Sequence, residues 1–367
     1  MADYGYLNYM FTVIWLIVYT VGFPAQILTL NAMDFDRDAL FIALKIHTIS
    51  SYTSSIVTIV WVSVIKRRIF LKILENVSEV DNKIRYTLQE ETSMNRNLMF
   101  NIISEIIIFT IIQCTLIVYN TFQSGSMSYY IITIETIGYM PNICTALLLF
   151  QFVTLIFIVK QRYSQLNKLL NNWISGAVSL NKANVRCRPL DKAVYQVNIT
   201  RLFVSSVGNN QGTLKQTDIH CLRQIYRELY DITCLINETY GIPVLAATCS
   251  ILTIVVICLY EALVCSEFSG VSDVIYATMY SFFFLKVTLI CHTATNEARS
   301  SSILVQKLLL EGNCRKESIE ELKLFSLQLQ VMTNKYTASG FFSLNLSLFA
   351  SVVSVIVSYI VIMVQMK

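Results

Sequence analysis

Polar residues recur at helical spacing through the apolar segment that ends the chain. Gln365 follows a run of serines, at Ser343, Ser347, Ser351, Ser354 and Ser358. A helix turns about 100° per residue, which places all six side chains within an arc of about 80°. Such a stripe either lets membrane helices pack closely or lines a water-filled pore with hydroxyl groups. The spacing leaves both interpretations open; in the pore, Val361 and Gln365 would close the outer end.

Charged residues also occur inside apolar stretches. Glu105 and Lys286 fall at similar depth, in the inner half of the membrane that these stretches imply. A charge at the centre of a membrane helix costs about 2.5 to 3.5 kcal/mol on insertion scales, so it needs a partner. We therefore predict that Glu105 and Lys286 form an ion pair. By the same argument, Lys45 is expected to meet Glu135 or Glu261 near the outer surface.

The amino-acid composition indicates the environment that surrounds these groups. Hydrophobic residues make up 54% of the 367 residues and charged residues 14%, and the mean hydropathy is +0.56. These values are typical of a membrane protein. A helical span needs roughly 20 apolar residues, and stretches of that size lie at residues 7–30, 39–65, 98–119, 130–159, 240–265, 274–294 and 340–366. The sequence predicts an all-α membrane protein with seven transmembrane helices, forming one domain over residues 1–366.

The positions of lysine and arginine predict the orientation. Of the 28 Lys and Arg residues, 24 lie in the connections after the second, fourth and sixth spans. Basic connections face the cytoplasm, so the N-terminus is expected in the cytoplasm and the C-terminus outside. A G-protein-coupled receptor has the opposite topology, and its acidic-Arg-aromatic and Asn-Pro-x-x-Tyr motifs are missing from the third and seventh spans.

The cytoplasmic connections carry helical patterns of their own. Apolar residues recur every three or four positions at Ile69, Ile73, Val77, Val80 and Ile84, and again at Ile219, Leu222, Tyr226, Leu229 and Ile232. We predict that spans continue as helices into a cytoplasmic anchor bundle, rather than ending as amphipathic helices at the membrane interface. The long loop 160–239 would contribute anchor helices, and residues 295–339 an anchor segment leading into the last span.

The sequence gives no indication of an enzyme. It contains neither a phosphate-binding glycine loop nor a Gly-x-Ser-x-Gly or His-Glu-x-x-His motif. The three histidines are scattered and no CxxC pair occurs, so neither a metal site nor another cofactor is expected. No catalytic residue and no nucleic-acid partner are predicted.

The end of the chain resembles the signature of the insect gustatory receptors. In that family a Thr-Tyr pair, five apolar residues and a Gln-Phe pair follow one another; here Ser358-Tyr359 and Gln365-Met366 flank five apolar residues. The segments LINETYGIPVL and CHTATNEARSSSILVQKLL are also similar to that family. Serine replaces the threonine and methionine replaces the phenylalanine. Because methionine is apolar and flexible, a hydrophobic plug is expected to survive, and the sequence leaves the effect on gating and ion preference open.

The resemblance implies a ligand-gated, non-selective cation channel in the plasma membrane of a sensory neuron. Such a channel is a homotetramer or heteromer whose seventh helices line a central pore, with Gln365 and Met366 at the outer gate and Val361, Ser358, Ser354 and Ser351 below. The activating partner would be a small-molecule tastant. An odorant-receptor-like channel is an alternative, as is a non-conducting seven-helix signalling or scaffold protein in which the serines serve only packing.

The resemblance also implies a tastant pocket in the outer halves of the second to sixth helices. Polar and aromatic residues at that depth suit a small organic ligand. The candidates are Lys45, Thr48, Tyr52, Gln113, Glu135, Tyr139, Asn142, Glu261, Tyr276 and Tyr280. Membrane-embedded tyrosine and glutamine also commonly bond to neighbouring helices, which is the alternative role for these side chains.

Overall fold

The fold consists almost entirely of helices. A computed structural model describes residues 15, 17–28, 38–88, 96–123, 129–186, 216–264, 269–311 and 316–365. The helices are α1 (Ile17–Leu28), α2 (Asp38–Val60), α3 (Arg67–Leu88), α4 (Arg96–Gln123), α5 (Tyr129–Arg186), α6 (Gln216–Val264), α7 (Ser269–Glu311), α8 (Lys316–Val331) and α9 (Leu346–Gln365). A π-helical turn, Trp61–Ile65, joins α2 to α3. The predicted all-α class is confirmed.

An apolar helix overlaps each of the seven predicted spans, although the last helix begins at Leu346 and not at residue 340. Helices α2, α5, α6 and α7 contain stretches long and apolar enough to cross a membrane, and α1, α4 and α9 contain shorter apolar helices within the described residues. Helix α5 has 58 residues and would extend about 87 Å at about 1.5 Å per residue, far beyond a hydrocarbon core of roughly 30 Å. Helices α5, α6 and α7 therefore continue past the membrane at one end.

These continuations pack together with α3 and α8 into an anchor bundle. Apolar side chains from all five helices are buried in it, among them Ile73, Val80, Leu166, Leu170, Leu222, Leu229, Val305, Leu308, Leu322 and Phe325. The apolar stripes of α3 and α6 face this interior. Burial of the stripes against neighbouring helices is the arrangement of a bundle and not of single helices lying on a membrane surface.

Ion pairs fix the neighbours within the anchor bundle. The Arg162 guanidinium of α5 is 3% exposed, and its Nε lies 2.5 Å from the Asp81 carboxylate of α3. The Lys83 ammonium of α3 contacts the Glu228 carboxylate of α6. At the membrane end of α3, Lys66 Nζ lies 2.7 Å from Glu238 on α6. Because these ion pairs connect α3 to both α5 and α6, they fix the position of α3 in the bundle.

A short hairpin precedes α9. Its strands, β1 (Thr337–Ala338) and β2 (Phe342–Ser343), pair antiparallel with Thr337 opposite Ser343. The turn has positive φ at Ser339 (51°) and Gly340 (79°), a conformation that ends any helix. Asn345 then caps α9, because its Oδ1 accepts a 2.9 Å hydrogen bond from the Leu348 amide. Including Ser343 in the helical stripe was therefore wrong: it belongs to the hairpin.

Replacing Arg162 by alanine should destabilise the anchor bundle. The change leaves the Asp81 carboxylate without its guanidinium partner, at a cost of about 2 kcal/mol. The apparent melting temperature of the detergent-solubilised receptor, followed by fluorescence-detected size exclusion, should fall. Arg227→Ala, an exposed change on α6, should leave that temperature unchanged, and equal melting temperatures for the two variants would contradict this role of Arg162.

Candidate functional site

Helix α9 has two chemically distinct faces. Val352 and Ile356, which are 9% and 8% exposed, pack with the partly buried Leu348, Phe349 and Ile360 against α6 and α7. Phe349 lies 6.1 Å from Phe284 of α7 between ring centroids. On the opposite side, the exposed residues include Ser347, Ser351, Ser354, Ser358, Val361 and Gln365. The flanks of this stripe are also exposed and apolar, at Val353, Val355, Val357, Tyr359 and Ile362. The helix is thus held by its apolar face, while the polar stripe points away from its own chain.

Two of the serine hydroxyls of this stripe find partners on their own helix. Ser351 donates to the Ser347 carbonyl at 3.0 Å, and Ser358 donates to the Ser354 carbonyl at 2.9 Å. These bonds keep the hydroxyl donors satisfied without a second helix. Close packing within the chain therefore does not account for the stripe, which is free for water or for another subunit. Of the predicted gate pair, Gln365 is exposed at the end of α9, and Met366 lies outside the described residues.

Four of the predicted pocket residues come together between α4, α5 and α7. The rings of Tyr139 and Tyr276 are stacked at 5.8 Å, and Tyr280 continues the stack at 6.4 Å from Tyr276. Gln113 is fully buried beside Tyr280, and its Nε2 lies 3.8 Å from Met279 Sδ. We call Gln113, Tyr139, Tyr276 and Tyr280 the tyrosine cluster. It offers flat aromatic faces and one buried amide, which is a chemistry suited to a small aromatic or polar organic molecule.

The remaining pocket candidates lie elsewhere or beside this cluster. Tyr52 of α2 packs with Tyr19 and Phe23 of α1 at centroid distances of 5.6 and 5.3 Å, in a separate aromatic group. Asn142 is buried one turn after Tyr139 on α5. Glu261 of α6 is partly buried and interacts electrostatically with Asp273 of α7.

The last three pocket candidates, predicted near the outer surface, are Lys45, Thr48 and Glu135. Lys45 and Thr48 are partly buried on α2. The side chain of Glu135 lies outside the described residues, so the pairing of Lys45 with an outer glutamate stays a prediction.

A seam of buried hydroxyls between α2, α5 and α6 was missed from the sequence. Ser55 donates to the Pro141 carbonyl at 2.6 Å, Ser54 lies 3.5 Å from Thr145, and Ser51 lies 3.2 Å from Ser250, oxygen to oxygen. Small hydroxyl residues let helices approach closely and bond across the contact. The signal was present in the i, i+3, i+4 spacing of the three serines, which places them on one face of α2.

The two charges predicted to pair are in contact. The Lys286 ammonium of α7 meets the Glu105 carboxylate of α4, and it lies 5.7 Å from the centroid of the Phe150 ring of α5. Glu105 precedes Gln113 by two turns of α4, or about 12 Å at about 1.5 Å per residue. The pair therefore joins α4 to α7 one level below the tyrosine cluster, so the same two helices are tied at both levels.

Known proteins share this fold and sequence pattern. A family model described as "7tm Chemosensory receptor" matches residues 3–367. The structure of the insect olfactory receptor OR5 from Machilis hrabei is similar with a TM-score of 0.56 and 13% sequence identity, covering 96% of this chain and 88% of that chain. The same receptor in complex with eugenol gives a TM-score of 0.57 and 12% identity over the same shares. No curated protein sequence matches.

Reversing either charge of the intramembrane pair should reduce the amount of receptor at the cell surface. Glu105→Lys or Lys286→Glu places two like charges in contact between apolar membrane helices, whereas the double variant restores an opposite pair. Surface biotinylation should show a several-fold loss for each single variant and recovery for the double. Lys316→Glu, exposed on α8, is the control; a double variant as poorly expressed as the singles would rule out direct pairing.

Proposed function

Because the chain belongs to the 7tm chemosensory receptor family, we propose that it is a gustatory receptor, a tastant-gated, non-selective cation channel whose last helix lines the pore. The family consists of receptors and not of enzymes, in agreement with the lack of enzymatic motifs in the sequence. The observation that carries the proposal is the exposed polar stripe of α9, opposite the face by which that helix is held.

The stripe supports a pore formed by several copies. One chain contributes one such helix, so a water-filled path lined by hydroxyls requires other subunits around an axis, in a homotetramer or a heteromer with related receptors. Ser351, Ser354 and Ser358 would line the path, and Val361 with Gln365 and Met366 would narrow its outer end. Apolar constrictions gate by excluding water, while hydroxyl and amide groups replace part of the hydration of a cation.

The tyrosine cluster is the proposed tastant site. The Machilis hrabei receptor was solved in complex with eugenol, a small aromatic molecule, and this chain offers stacked aromatic faces together with the Gln113 amide. A ligand that separated Tyr139 from Tyr276 would act on α5 and α7 at once. Below this site, the ion pair between Glu105 and Lys286 connects α4 rigidly to α7.

The proposed orientation has the anchor bundle in the cytoplasm of a sensory neuron and the C-terminus outside the plasma membrane. The excess of Lys and Arg in the connections on the anchor side supports this orientation. An odorant-receptor-like channel is the second candidate, since the solved receptors named above are olfactory. Expressing the receptor and recording currents with water-soluble tastants and with volatile compounds, eugenol included, separates the two.

Cysteine at position 358 should make the current sensitive to a water-borne thiol reagent. In Ser358→Cys a positively charged methanethiosulfonate reagent would add bulk and charge to the pore wall and reduce the evoked whole-cell current several-fold. Tyr359→Cys is the matched control, because residue 359 is also exposed but is turned by about 100° from the stripe. Equal sensitivity of the two variants, or currents that resist the reagent in both, would argue against a pore along this face.

Replacing Gln113 by leucine should weaken activation by the tastant. The change removes the buried amide and keeps the side-chain volume, so the loss of one hydrogen bond to a ligand predicts an increase of about tenfold in the half-maximal concentration. Concentration–response curves of the evoked current measure this shift. Gln330→Leu, exposed on α8, should leave the curve in place, and an unchanged curve for Gln113→Leu would exclude the amide from the ligand site.

A further inference from the structure

The side chain of Asn237 on α6 pairs with the extended segment that leads into α9. Its Nδ2 donates to the Lys335 carbonyl at 2.7 Å, and its Oδ1 accepts from the Thr337 amide at 3.1 Å. A primary amide thus takes the place of a neighbouring strand, giving one donor and one acceptor to alternate residues of the segment. Lys335 and Thr337 are about 100 positions away along the chain, so the contact ties distant parts of the fold.

One turn further along α6, Gly241 permits the hairpin to lie directly on the helix. A Cβ atom at this position would be 2.8 Å from the Ser339 amide nitrogen and 3.1 Å from its Cα. These are backbone atoms of a turn with positive φ at Ser339, and they cannot move aside as a flexible side chain would. Asn237 and Gly241 lie four residues apart, on one face of α6, and together form the surface on which the hairpin sits.

The beginning of the same segment is held by the anchor bundle. Asn334 is buried, and its Nδ2 donates to the hydroxyls of Tyr163 on α5 and Tyr226 on α6 at 2.9 and 3.1 Å. Tyr336 is buried as well, and its carbonyl accepts a 2.9 Å hydrogen bond from the Leu344 amide. Burial raises the pKa of the Tyr336 phenol above its ordinary value, so the ring stays neutral. The segment between α8 and α9 is therefore held at its beginning by α5 and α6 and in its middle by Asn237.

From these contacts we infer that Asn237 is a positioning residue for the pore helix: it fixes the start of α9 to α6. Helix α6 is continuous over 49 residues, and Cys258, on its far half, lies near Tyr276 and Tyr280 of the tyrosine cluster. Asn237 and Cys258 are about 30 Å apart along the helix axis at about 1.5 Å per residue, with Pro243 between them. A displacement of α6 at the cluster would thus reach the base of α9 through the Asn237 amide. The inference rests on the proposed channel function.

The chemistry of the contact requires asparagine. Aspartate has nearly the same shape but cannot donate to the Lys335 carbonyl, and its charge faces that oxygen. Glutamine has both groups one methylene further from the helix, so it cannot meet both partners without displacing the segment. The contact therefore predicts a graded effect of the substitutions Asn237→Gln and Asn237→Asp, with the second stronger.

The test combines two readouts in the full-length receptor. Hydrogen–deuterium exchange of residues 332–345 reports whether the segment is loosened. The rate at which a membrane-impermeant maleimide labels Ser358→Cys on intact cells reports the position of α9. With Asn237→Asp added to Ser358→Cys, exchange in the segment should rise and the labelling rate should change by about three- to tenfold, at unchanged surface biotinylation. Asn171→Asp, exposed on α5, should change neither readout.

Two results would overturn the inference. If exchange rises while the labelling rate at position 358 stays constant, Asn237 stabilises the segment and does not position α9. If neither readout changes, the hydrogen bonds to Lys335 and Thr337 neither stabilise the segment nor position α9. Failure of the proposed channel is recognised separately, since Ser358→Cys alone would then label without any effect on current, whatever residue stands at position 237.

Discussion

Polar groups inside a hydrocarbon layer must find their partners within the protein, and the arrangement of this receptor follows from that constraint. The ammonium of Lys286 is placed against Glu105, and the buried serines of α2 bond to α5 and α6. The hydroxyls of Ser351 and Ser358 turn back onto their own helix. Exposed hydroxyls on α4 do the same at Thr110 and Thr115. What distinguishes α9 is that four exposed serines, Ser347, Ser351, Ser354 and Ser358, share one of its faces.

Most of the other described helices pack against helix α6. It contacts α2, α3, α5, α7, α8 and α9, and its 49 residues reach from the level of the tyrosine cluster to the anchor bundle. Its proline, Pro243, lies two residues after Gly241, at the level where the hairpin rests, and it removes one backbone hydrogen bond of the helix there. The proposed ligand site, the anchor bundle and the base of α9 are thus connected through one helix.

Much of this architecture could be predicted from periodicity and charge. Apolar length predicted the membrane helices, the apolar stripes predicted the anchor bundle, and the cost of an unpaired charge predicted the contact of Glu105 with Lys286. The hairpin was missed, because positive φ at a serine leaves no hydrophobic signal. The contacts of Asn237 were missed because they join positions about 100 residues apart, which local patterns do not register. Tyr52 was grouped with Tyr276 because depth along a helix does not specify which neighbour a side chain faces.

The central claim is that the serine face of α9 meets water in the assembled receptor, and it can be measured residue by residue. Spin labels placed singly on cysteines along residues 347–362, in receptor reconstituted in lipid, can be tested for access to a water-soluble nickel chelate and to oxygen, which concentrates in lipid. The account predicts that nickel access peaks at positions 347, 351, 354 and 358 and is lowest at 352 and 356. Oxygen access that peaks at the serine positions, or access to neither reagent there, would contradict it.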